Sequence, residues 1–174
     1  MMDGSLGSRT AWMHKPYLAD PFSSEKENMA TVGIITLRDT TEFKHILRET
    51  DKANIQHAVH AIGDRANDWI LDEFALIKGE FGQKDRRCRI EHAQHLSRAA
   101  VPRFAAETII PSMQPYHIYD DGSWAHKRIE HERLSRTYVF KTLIESGANL
   151  TFGSDWSVAP LNPVTGIYAA VTRH

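Results

Sequence analysis

At 174 residues, with 41% apolar and 25% charged side chains, the chain has the size and composition of one soluble globular domain that can bury a core. A formal net charge of -1, with both signs mixed along the sequence, removes the electrostatic case for nucleic acid or an anionic membrane as a partner. The start, Met1 to Gly7, lacks the basic flank and apolar run of a secretory signal, and the longest weakly polar stretch, Thr108 to Tyr119, is broken by Pro111 and Pro115, so a cytoplasmic protein without a membrane span is expected.

Residues 1–30 are rich in Gly, Ser, Pro and charge and keep no helical or strand period, so they read as one long loop on the active-site side, ahead of successive βα units over 31–174. Asp39-Thr40-Thr41-Glu42 then has the spacing of a helix cap with an acid three residues on. Phe43, Ile46 and Leu47 follow at helical spacing, which predicts a helix to about Lys52. Ile55 to His60 reads as a short strand stopped by Gly63. The helix after it places Ala66, Trp69, Ile70, Phe74 and Ile77 on one apolar face. The unit repeats: strand Cys88 to His92, helix Ser97 to Glu107, strand Thr108 to Gln114, helix Leu134 to Ser146 ended by Gly147, and strand Asn149 to Ser154. Alternation of strands and helices implies an α/β protein with parallel pairing, either a β/α barrel or a doubly wound sheet. No Gly-rich phosphate loop follows any strand, which argues against a nucleotide-binding doubly wound domain.

Side chains alternate along a strand, so Gln56, Ala58 and His60 share a face, as do Ile90 and His92, Ser112 and Gln114, and Thr151, Gly153 and Asp155; Leu150 and Phe152 face the helices. Each strand therefore ends, at the C-terminal edge where β/α active sites lie, in a group that can bind metal or substrate: His60, His92, Gln114, Asp155. Taken singly, a strand-end histidine is commonly a hydrogen-bonded core residue, and an Asp after Gly-Ser is commonly a turn or cap. Recurrence on one edge of successive units favours a divalent metal held by two imidazoles and a carboxylate: zinc foremost, with iron and manganese as alternatives. Gln114, His117 and Trp156, on or just beyond the strand ends, are the candidate substrate contacts, with loop packing as the alternative. His14, His45, His95, His126, His131 and His174 read as solvated, His57 as a packing or surface residue, Trp69 and Cys88 as core. Arg89 and Glu91 are expected to pair with the helix layer. Asp64, at a helix start, is either a cap or a catalytic group. The one cysteine, Cys88, fits a reducing compartment.

Five segments carry a resemblance: Asp3-Gly4-Ser5-Leu6-Gly7-Ser8-Arg9-Thr10-Ala11, His60-Ala61-Ile62-Gly63-Asp64-Arg65-Ala66, Arg89-Ile90-Glu91-His92-Ala93-Gln94, Ser112-Met113-Gln114-Pro115 and Gly153-Ser154-Asp155-Trp156-Ser157-Val158. In this order they resemble the amidohydrolase family three branch, typified by N-substituted formamide deformylases, nearly end to end. The resemblance implies an eight-stranded β/α barrel with a small β-sandwich and hydrolysis of carbon–nitrogen bonds other than peptide bonds in a small-molecule substrate. It makes His60 and His92 metal ligands ending the fifth and sixth strands, and Asp155 the acid ending the eighth, which serves as both ligand and catalytic base. One or two ions would occupy the complete site. The family's first-strand His-x-His pair and its carboxylatable lysine would fall ahead of Met1, and the sandwich beyond His174. A whole barrel takes about 250 residues, so the chain reads as roughly the C-terminal half of a TIM-type barrel, with its own activity in doubt. The contrary expectation is a non-catalytic remnant or interaction module. Barrel edges left open near Gly33 to Leu37 or His57 and near Thr151 would invite homo-oligomers.

Overall fold

The computed structural model describes residues 1–21 and 31–173; part of the expected long loop, 22–30, and His174 lie outside the described residues. Four parallel strands, β1 (Ala58–Ala61), β2 (Arg89–His92), β3 (Ile110–Met113) and β4 (Thr151–Phe152), stand side by side in chain order. Helices alternate with them: α1 (Thr40–Lys52), α2 (Asp64–Phe81), α3 (Ala100–Ala106), α4 (His117–Gly122), α5 (His131–Leu134), α6 (Phe140–Glu145) and α7 (Pro163–Thr172). This is an α/β fold and part of a barrel. Among the described residues no helix is long and apolar enough to cross a membrane.

Side chains cap α1 and α7, and backbone fit opens α2. Asp39 keeps extended backbone and its carboxylate accepts from Thr41 N at 2.7 Å, opening α1 with Glu42 in the first turn, where an acid complements the helix dipole. Gly63 precedes α2 because nothing larger fits: a Cβ there would lie 2.0 Å from the Trp12 carbonyl oxygen. Asp64 is a structural clamp, its Oδ1 accepting from Arg65 N and from His14 N at 2.8 Å, which ties the N-terminal segment to the head of α2. Ala66, Ile70, Phe74 and Ile77 of α2 then pack with Val59, Ala61, Ile90 and Met113 from the sheet, Phe104 from α3 and Leu143 from α6 in one buried core. Each such large apolar side chain contributes about 1.5–3 kcal/mol when fully buried. Trp69 is only half-buried, beside Phe43 and under Lys44.

Residues 1–21 hold no helix or strand, as a loop should, but they are well packed. Leu6, Ala11, Met13 and Tyr17 form a second buried cluster with Ile62, Ala125 and Ile129. Asp3, fully buried, accepts from Trp12 N, Ile62 N and Gly63 N, and Met2 N bonds to the His60 carbonyl at 2.9 Å on the outer side of β1. Gly33 to Leu37 is not a strand; Thr36 N donates to Met2 O and Ile34 N to Thr10 O.

Four expectations are corrected. The helix read over Leu134 to Ser146 is broken into α5 and α6, because Leu96 N bonds to Arg136 O and Tyr138 N to Gln94 O, while Tyr138 takes a φ of 51°. These tertiary bonds to the segment after β2 override local helix propensity. His95 is not solvated: it lies buried in that junction, bonded to Thr137 Oγ1 at 2.9 Å and to Gln94, with burial pushing its pKa down to about 3. The faces of β2 are also the reverse of the alternation count. The register sets His60 beside Glu91, Glu91 beside Ser112 and Ser112 beside Thr151, so these share the open face, while Ile90 is buried with the helices. Arg89 and Glu91 accordingly pair with each other on the open face rather than with the helix layer. The other histidines read as solvated, His14, His45, His126 and His131, are exposed; His57 is buried against Thr50 and Cys88.

Candidate metal centre

His60 belongs to β1, whose register directs it to the open face. His92 ends β2 opposite Ala61, on the helix-side parity, and reaches the same space only because its backbone turns left-handed (φ 74°), followed by Ala93 at 42°. Asp155, three residues past β4, is left-handed as well (φ 60°). A non-glycine residue in that region costs on the order of 1–3 kcal/mol, and such positions concentrate at functional sites. His117 is the first residue of α4, set by the turn through Pro115 and Tyr116 directly after β3.

These elements converge. One donor atom from each of His92, His117 and Asp155 lies within 4.8 Å of the others, and His117 Nε2 is 3.3 Å from Asp155 Oδ2. The His60 ring meets that of His92 edge-on at 4.5 Å between centroids, and His92 and His117 are 6.1 Å apart. A cavity of about 360 Å³ opens onto all four, with Asp121 and Trp124 on its walls and Ser5 to Gly7 at its margin. Burial, then the neighbouring His60, lowers the pKa of His92, with Asp155 opposing; the neutral imidazole needed for a metal is the favoured form. His60 Nδ1 is buried without a hydrogen-bond partner, facing Asp3 Oδ1 at 3.4 Å.

The remaining candidates occupy different positions. Gln114 is buried just past β3, its Oε1 2.7 Å from His92 Nδ1. Trp156 is 70% exposed and does not line the cavity. Sequence reasoning passed over Asp121, whose carboxylate accepts from Gln94 Nε2 at 2.6 Å and Tyr138 Oη at 2.7 Å and whose pKa burial raises. It also assigned no role to Asp3 beneath His60. Both Asp3 and Gln94 lie within the recurring segments, which was the available signal; Asp121 carries none.

Two imidazoles and a carboxylate with a third imidazole adjacent, around a cavity, fit a divalent cation. The chain matches the amidohydrolase family over residues 1–174. It is 39% identical over 173 residues to Protein LONG AFTER FAR-RED 3 of Arabidopsis thaliana, covering 99% of this chain and 28% of that protein. It is 32% identical over 171 residues to "Putative amidohydrolase YtcJ" of Bacillus subtilis (strain 168), covering 98% and 30%. An uncharacterized metal-dependent hydrolase from Pyrococcus furiosus superposes with a TM-score of 0.83 at 32% identity, over 99% of this chain and 33% of that one. Another from Pyrococcus horikoshii OT3 gives 0.83 at 33% identity, over 99% and 32%. The chain thus spans about a third of the length of these relatives. With a parallel β/α sheet, imidazole and carboxylate side chains able to hold a metal at its C-terminal edge and a match along its full length, the chain belongs to the amidohydrolase family.

Proposed function

We propose that this chain supplies the metal-binding and proton-transfer groups of a hydrolase that cleaves carbon–nitrogen bonds other than peptide bonds in a small amide- or formamide-type substrate. The observation that carries the reading is the convergence of His92, His117 and Asp155 donor atoms within 4.8 Å beside the His60 ring. His60, His92 and Asp155 would hold one or two divalent ions, zinc foremost, with His117 adjacent. When bound, such an ion lowers the pKa of a water towards neutrality and polarises the substrate carbonyl.

The chain's own groups do the rest. Asp155 takes the proton at Oδ1 or Oδ2 as water attacks and returns it to the departing amine, a task that requires a carboxylate beside the nucleophile. His117 Nε2, 3.3 Å away, fixes the direction of that carboxylate. Trp156, exposed next to Asp155, serves as a substrate contact at the rim. A cytoplasmic setting suits the single buried thiol, Cys88.

The described residues bring four candidate donors to a cavity open to solvent. We infer that the 174 residues by themselves hold metal weakly and turn over slowly or not at all. Assays with formamides, hydantoins and small amides, with zinc, manganese or iron added, test both halves of the reading. No rate above the metal blank is expected of the chain alone. Within a longer, active protein containing it, Asp155→Asn should abolish turnover, and full activity in that variant would refute the assignment.

A second reading, an association module without catalysis, is favoured by one feature: Phe152, Leu161, Val164, Ile167 and Val171 are all exposed around β4 and α7. Large contiguous apolar surface of this kind marks contact sites.

A further inference from the structure

Gln114 stands behind His92 rather than in front of the cavity, and its two amide atoms face partners of known character. Its Nε2 donates to the Ser112 carbonyl at 3.2 Å and its Oε1 lies 2.7 Å from His92 Nδ1. A backbone carbonyl oxygen only accepts, so the amide nitrogen belongs on the Ser112 side; the flipped amide would set two acceptors against each other at that distance. The amide oxygen in turn only accepts. His92 Nδ1 must therefore carry the proton, and the lone pair resides on Nε2.

We propose that Gln114 is a positioning residue that holds His92 in its Nδ1-protonated tautomer, leaving Nε2 as the metal-binding nitrogen. The tautomer claim stands on hydrogen-bond geometry alone; its consequence for metal affinity rests on the reading given under Proposed function. Two features make the lock necessary. The left-handed backbone at His92 aims the imidazole away from the parity of its strand, and the ring sits edge-on to His60, a contact that does not distinguish which ring nitrogen carries the proton. A single short hydrogen bond donated by His92 Nδ1 to the oxygen of a buried amide, itself anchored to β3, does so. Partners of this kind orient metal-binding histidines elsewhere, and their loss commonly lowers metal affinity by about 10–100-fold.

The test is a long-range proton–nitrogen correlation spectrum of the histidine side chains in the ¹⁵N-labelled metal-free chain, with the His92 signals identified by their absence in His92→Asn. The wild-type chain should show His92 protonated at Nδ1 and bare at Nε2. Gln114→Glu, which keeps an acceptor towards His92, should retain that tautomer. Gln114→Met, which removes the acceptor at similar volume, should give a mixture of tautomers and bind zinc roughly 10–100-fold more weakly in chelator competition. A proton on Nε2 in the wild-type chain would overturn the inference, and so would a Gln114→Met chain with the wild-type tautomer. Failure of the wild-type chain to bind zinc contradicts the metal-centre reading instead, and the tautomer result on metal-free protein still decides the role of Gln114.

Discussion

His117 Nε2 and Asp155 Oδ2 approach to 3.3 Å although 38 residues separate them, one on the first turn of α4 and the other beyond β4. Neither residue has another role in the core, and each sits on a backbone feature, a helix start and a left-handed residue, that aims it at the same space. If the pair shares a metal, removing either member must weaken binding. Asp155→Asn, which keeps the shape and drops the charge, and His117→Ala should each reduce zinc affinity by about tenfold or more. Isothermal titration with zinc checks this; affinity unchanged in both variants would show the approach to be an ordinary ion pair.

Acid stability should report on His95. Its pKa is pushed down to about 3 in the folded state, against about 6.5 when unfolded. Between these values the unfolded chain binds the extra proton, so stability rises with pH across the window. The stability present above pH 6.5 is lost progressively as pH falls towards 3. Urea midpoints measured from pH 7 to pH 4 should fall for the wild type and fall less steeply for His95→Gln, which cannot take up a proton. Parallel slopes would mean that other groups govern the acid transition.

Gly63 joins the head of α2 to Trp12, where an added Cβ would meet the Trp12 carbonyl oxygen at 2.0 Å and carbon at 2.5 Å. Both are backbone atoms and cannot swing aside. Gly63→Ala should therefore destabilise the chain by about 2–4 kcal/mol, at the upper end of single-substitution effects. Gly79→Ala, mid-helix with open space around it, should be neutral or stabilising by about 0.5–1 kcal/mol. Denaturant titration of the two variants separates these outcomes, and similar midpoints would contradict the clamp.

The chain should associate in solution. Among the described residues β4 pairs only with β3, and Phe152, Val164 and Ile167 beside it are about half or more exposed. An uncovered strand edge flanked by apolar side chains is a template for pairing. Light scattering during size-exclusion chromatography should give a mass at least twice the 19.8 kDa of one chain. A sharp monomer peak with a cooperative thermal transition would contradict the prediction. The opposite edge is less open than expected from sequence, since Met2 bonds along β1.

Much of this architecture was legible from pattern. The Asp39 cap, the apolar face of α2 and the strand–helix alternation each follow from local rules, and each is where those rules place it. What escaped depends on contacts distant in sequence or on single backbone angles. Strand alternation fails at His92 because one left-handed residue inverts the parity that a count of two assumes. The break between α5 and α6 is imposed by bonds to Gln94 and Leu96, some forty residues earlier, which no local window contains. Helix α7 is absent from the sequence reading, although Asn162-Pro163 offers a cap and a first-turn proline for it, and Asn162 Oδ1 accepts from Val164 N at 3.0 Å. His117 had no strand to place it; only the turn after β3 brings it to Asp155.

The central claim, a divalent metal held by imidazole and carboxylate at the C-terminal edge of the sheet, is tested most directly by X-ray absorption at the zinc edge. The chain, concentrated with one equivalent of zinc until even a weak site is filled, should show at least two imidazole nitrogens among nitrogen and oxygen donors at about 2.0–2.1 Å, with no sulfur. The imidazole scattering should fall in the His92→Ala, His117→Ala double variant and disappear when His60→Ala is added. An all-oxygen shell in the wild-type chain, or a spectrum indifferent to that double substitution, would contradict the account.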